Sequence, residues 1–62
     1  MELCKISPFS GYYKHYPDII FVVVKRDGKM VNIKYRKHPD DDHFTGISVP
    51  IQDITVIQLN NE

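Results

Sequence analysis

Residues 19–36, IIFVVVKRDGKMVNIKYR, constrain the fold more than any other stretch of the chain. The first half is β-branched and apolar, and the second half alternates apolar and polar side chains with a period of two, as paired strands do. Asp27-Gly28 between them suits a two-residue turn, whose central residues take positive φ most easily as Asp-Gly. Such a turn sets the register of the whole hairpin. With Arg26 opposite Lys29, the pairs run outward as Lys25–Met30, Val24–Val31, Val23–Asn32, Val22–Ile33, Phe21–Lys34 and Ile20–Tyr35. One face then carries Ile20, Val22, Val24, Val31, Ile33 and Tyr35 and is expected to be the core. The other carries Ile19, Phe21, Val23, Lys25, Met30, Asn32, Lys34 and Arg36, an apolar stripe beside a basic one, and is expected to face outward.

The rest of the chain supplies shorter strands. Residues 2–6 form a first candidate, and residues 7–18, with Pro8, Gly11 and Pro17, predict a long folded loop. Residues 44–49, FTGISV, predict a fourth strand with a bulge or bend at Gly46. Pro50 to Asp53 predicts one 3₁₀ or β-turn, and residues 54–59, ITVIQL, a fifth strand. No segment sustains a 3.6-residue apolar period, so no long helix is expected. The 62 residues make one domain, 1–62, of all-β class. A chain this small has a marginal core. Cys4 is its only cysteine, so no internal disulfide can reinforce it, and association with another chain is the remaining staple.

The segment 44–57, FTGISVPIQDITVI, resembles the end of an SH3-like barrel. In that family a Gly, then Val-Pro and a short 3₁₀ turn precede the last strand, and Gly46, Val49, Pro50 and Ile54 stand in those places. The resemblance implies a five-stranded SH3-like small barrel, or a strongly twisted antiparallel sheet with the same strand order. It places the aromatic loop GYYKHY where the family has its first, peptide-contacting loop. The chain departs from proline-peptide binders in having no Trp, and in carrying Lys14 and His15 where those domains place acids, so polyproline recognition is not expected.

Composition narrows the function. Eight Lys and Arg balance eight Asp and Glu, which disfavours charge-driven binding to DNA or to an anionic membrane. The longest apolar run, Ile19–Val24, is far too short to span a bilayer, and a lone cysteine suits a reducing compartment, so a cytoplasmic location is expected. No phosphate loop, nucleophile elbow or paired-carboxylate frame is present, and neither enzymatic activity nor a cofactor is expected. His38, Asp40, Asp41, Asp42 and His43 offer metal-ligating side chains, yet their spacing matches no defined site. They are expected to form a solvated loop, and the sequence leaves open whether they bind a metal.

What remains is surplus apolar surface. The stripe of Ile19, Phe21, Val23 and Met30 wants a cover, supplied either by the chain's own first loop or by another protein. The leading expectation is a small stand-alone protein-binding module acting as an adaptor, an assembly factor or an inhibitor. By analogy it fits the pattern of phage and mobile-element accessory proteins. Its contact residues would be Phe21, Val23, Met30, Lys34 and Arg36, with Tyr12, Tyr13 and Tyr16 at the loop edge. Apolar groups would hold the partner while Lys and Arg steer an acidic surface. A homodimer through the same face is compatible with this pattern. The alternative is a nucleic-acid-binding barrel that uses Phe21, Lys34 and Arg36.

Overall fold

A computed structural model describes residues 2–36, 40 and 42–58. Five strands form one antiparallel sheet: β1 (Leu3–Ile6), β2 (Phe21–Asp27), β3 (Met30–Tyr35), β4 (Thr45–Pro50) and β5 (Ile54–Gln58). The spatial order is β4-β3-β2-β1-β5. β4 and β5 do not pair with each other, so the sheet is open. The only helical turns among the described residues are two 3₁₀ turns, Tyr13–His15 and Ile51–Asp53. No described helix is long and apolar enough to cross a membrane.

The second 3₁₀ turn takes the place of strand closure at one end. Pro50, at φ −60°, delivers the chain from β4 into this turn. Ile51 N–H donates to Lys29 O at the hairpin tip (2.9 Å), and Asp53 O accepts from Ser7 N–H at the end of β1 (2.8 Å). The turn therefore spans the gap between the two edges of the sheet. Ile51 and Ile54 pack against the core on either side of its last residues.

The central hairpin differs from its expected register in two ways. Asp27 pairs with Met30, so the turn residues are Gly28 and Lys29. Of these two, only Gly28 takes positive φ, +63°, which is the geometry of a turn with glycine at its first central position. That offset moves the partners by two positions in all and leaves each side chain on its expected face. The second difference does not. Val23 pairs with Ile33 and Lys25 with Asn32, so Val24 is an extra, bulged residue. One inserted residue reverses the faces of everything before it. Phe21 and Val23, expected outside, point inward, while Ile20 and Val22 take the outer positions.

The inner face is accordingly the core. Cys4, Ile6, Phe21, Val31, Ile33 and Val49 are fully buried, and Ile19, Val23, Tyr35 and Ile47 pack around them. The expected core residues on β3 are in place, but Ile20 and Val24 are exposed. The first loop folds over this face. Tyr16 stands edge-on to Phe21 and Tyr35, with centroids 5.9 and 5.7 Å apart, and Phe21 meets Tyr35 at 5.2 Å. Tyr13 packs beside them. Such edge-on contacts favour aromatic rings beyond simple burial.

A polar joint holds the loop down. The Ser10 hydroxyl donates to the Asp53 carboxylate (2.8 Å) and accepts from Tyr12 N–H (3.1 Å). Ser7 and Thr55 share a hydroxyl–hydroxyl bond of 2.7 Å. Both serines are buried, and no buried side-chain polar atom among the described residues lacks a partner. One further expectation changes. Gly46 pairs with Lys34 in unbroken register, so it forms no bulge. On β5 the extra residue is Ile57, and only Ile54 of that strand packs into the core.

Candidate functional site

With Phe21 and Val23 turned inward, the outer face of the sheet is a different surface from the one the sequence suggests. Cross-strand partners share a face, so a row runs Leu3, Val22, Lys34, Gly46 across four strands. A second row runs Lys25, Asn32, Ser48 across β2, β3 and β4. Phe44, just before β4, lies beside the first row. The Lys34 ammonium sits 4.3 Å from the centre of its ring, and the Arg36 guanidinium carbon 5.4 Å. The ring's negative face attracts both cations and lets them sit close together.

Val24, Asn32, Lys34, Phe44, Gly46 and Ser48 line an open depression of about 440 Å³. The bulge is what puts Val24 there. Released from the ladder, its side chain stands 57% exposed on the outer side, and Phe44 is 46% exposed opposite it. Among the described residues, Lys25, Lys34 and Arg36 form no ion pair; the acids that do, Glu2 and Asp18, hold Arg26 and Lys5. The depression thus has apolar walls in Val24 and Phe44, small or polar residues between them, and the cations Lys34 and Arg36 beside the Phe44 ring.

The predicted contact residues separate into three groups. Phe21 is completely buried and Val23 half-buried, so neither presents a stripe to a partner. Tyr13 and Tyr16 are spent on the core, and only Tyr12 of the three tyrosines is exposed at the loop edge. Lys34 and Arg36 lie together on the outer face as expected, and Met30 is exposed at the hairpin tip. Met30 borders a second depression of about 670 Å³ shared with Gly28, Lys29, Pro50, Ile51 and Gln52. Phe44 and Val24 were missed. No local sequence signal marks Phe44; it reaches Lys34 and Arg36 through the pairing of Gly46 with Lys34.

The other candidate chemistry is sparse. Burial pushes the Cys4 thiol up to about 11, with the nearby Glu2 charge adding to the shift and Arg26 opposing it. The thiol is therefore protonated near neutral pH. His38 and Asp41 lie outside the described residues, while Asp40, Asp42 and His43 are exposed. Among the described residues no three His, Cys, Asp or Glu side chains come together as a metal site.

Compared with known proteins, the chain matches no family model, and no curated protein or solved structure is significantly similar to it.

Proposed function

We propose that the protein is a small binding module whose outer face, across β2, β3 and β4, docks onto an acidic surface of another protein. The observation that carries this reading is Phe44 with Lys34 and Arg36 against its ring, beside an exposed Val24, with no acid paired to either cation among the described residues. Apolar surface flanked by unpaired cations is what a partner with an acidic rim complements. Val24, Phe44, Lys34 and Arg36 are its contact residues, with Met30 at the periphery; Tyr12, on the loop that covers the inner face, is not part of it. The module acts by occupying a partner's surface, as an adaptor, assembly factor or inhibitor, in the manner of phage accessory proteins. Its fold is an opened SH3-like barrel, a reading supported by the strand order and by the 3₁₀ turn before the last strand. A cytoplasmic setting is supported by the free, buried thiol of Cys4.

The second reading is single-stranded nucleic acid. It is favoured by the same trio, because Phe44 now holds the place beside Lys34 and Arg36 that Phe21 does not. It is the weaker one: a single aromatic ring, already covered by cations, offers little stacking surface, and the chain has no net charge. The test is capture from the native cell lysate with and without nuclease, using wild type, Phe44→Ser and the Lys34→Glu/Arg36→Glu pair. A protein that survives nuclease and is lost with both variants supports the first reading. Capture that disappears with nuclease, and falls steeply as salt rises, transfers the site to nucleic acid.

A further inference from the structure

Among the described residues the sheet has two unpaired edges, β4 and β5, and they are not equivalent. β5 is interrupted by the bulge at Ile57, a device that spoils an edge for pairing. β4 pairs with β3 without interruption over all six residues, from Tyr35–Thr45 to Met30–Pro50. Its free side carries none of the usual guards except Pro50 at the very end: TGISVP contains no charge, and β3–β4 has no bulge. The outer-face residues of β4 are also the smallest available. Gly46 stands between Lys34 and the free edge, and Ser48 between Asn32 and the free edge.

We infer that β4 receives an extended segment of the partner protein as an added strand, with acidic side chains on its outward positions and apolar side chains on the alternate ones. The inference rests on the outer face being a protein-binding surface. Strands lie about 4.8 Å apart, so the added strand runs about 10 Å from β3. A glutamate on it and Lys34 reach each other across Gly46, which has no side chain to block them. The alternate side chains fall next to Ile47 and Val49, the half-buried and buried residues of β4, and extend the apolar inner face. A second copy of this chain is a poorer occupant, because pairing β4 with itself would bring two basic rims onto one face. The acidic segment brings the opposite charge.

Gly46 supplies a specific handle. Its φ is not positive, and an added Cβ would lie 3.7 Å from Ile33 O, an ordinary contact. Gly46→Val is therefore expected to fold with an unchanged or raised melting temperature while screening Lys34 from the edge. The experiment selects binders from a displayed library of random peptides of about ten residues, a typical upper strand length. The best peptide is then synthesised and its affinity measured by fluorescence anisotropy. The expected selection alternates acidic and apolar residues. N-methylation of its backbone in one alternate phase should weaken binding at least tenfold, with little effect in the other phase. Gly46→Val should also weaken it at least tenfold.

The unwanted outcomes are separable. A peptide sensitive to Lys34→Glu/Arg36→Glu but indifferent to N-methylation in both phases overturns strand addition and leaves the outer face as the docking surface. A peptide indifferent to those charge reversals overturns both. No enrichment above the bare support also overturns strand addition. A dimer seen by sedimentation, broken by Gly46→Val, would award the edge to a second copy.

Discussion

Phe21 and Phe44 lie on opposite sides of one sheet. Phe21 is fully buried, boxed in by Tyr16 and Tyr35, with the first loop folded over it. Phe44 is 46% exposed, and its neighbours are two cations. The inner face solves its covering problem within the chain, through a loop fastened by Ser10 and Asp53. Among the described residues no segment does the same for Val24 and Phe44 on the outer face. The difference shows that the division of labour in this sheet is set by a single inserted residue, Val24. Its bulge sends the aromatic of β2 inward and leaves a valine outside.

The sharpest way to break this comparison is to truncate both rings. Phe21→Ala should lower stability by about 3–5 kcal/mol, the usual penalty for a large side chain removed from a core, and on so small a domain it should largely unfold the chain. Phe44→Ala should cost under about 1 kcal/mol, since it removes only exposed surface and its cation contacts. Urea unfolding of the two variants decides; equal losses would mean the outer ring is structural and not a contact residue.

A second prediction sharpens the description of the inner face through pH. The folded Cys4 thiol titrates at about 11, against an ordinary value of 9.0. The neutral form is thus favoured by folding. Its contribution is fully present below pH 9 and is lost as pH rises through 11. At about 1.4 kcal/mol per unit, the loss is on the order of 2–3 kcal/mol. Cys4→Val lacks the group and should lose less stability over that interval than wild type. Parallel losses in the two proteins would mean that Cys4 is not held in an apolar site.

The third and smallest effect concerns the fastening itself. Ser10→Ala leaves the Asp53 carboxylate and the Tyr12 amide without their shared hydroxyl, which should cost about 1–3 kcal/mol. Because Tyr13 and Tyr16 ride on that loop, amide hydrogen exchange across residues 10–16 should accelerate more than exchange in β3. Uniform acceleration would show that the loop is not a separately held cover.

Much of the scaffold is legible in the amino-acid sequence. The strands were readable from β-branched runs punctuated by Pro and Gly, and the 3₁₀ turn from Pro50 and Asp53. β3 sorted correctly because Val31, Ile33 and Tyr35 alternate with polar residues. β2 did not, because Val22, Val23 and Val24 are chemically interchangeable at the backbone. Nothing local says which one leaves the ladder; the packing of Phe21 between two distant tyrosines does. The outer site was half legible for a related reason. Lys34 and Arg36 followed from β3, whereas Phe44 reaches them only through the β3–β4 register, across a connection too long for turn chemistry to fix.

The pairing of Leu3 with Gln58 has a consequence for the chain as a string. β1 and β5 are lateral neighbours, with the start of one beside the end of the other, so the five strands trace nearly a closed circuit. A short linker joining those ends, with the chain reopened between Gly28 and Lys29, would keep every strand neighbour while making β2 the last strand and β3 the first. The sheet is defined by which strands lie side by side, and the order in which a chain visits them is a free choice within that circuit.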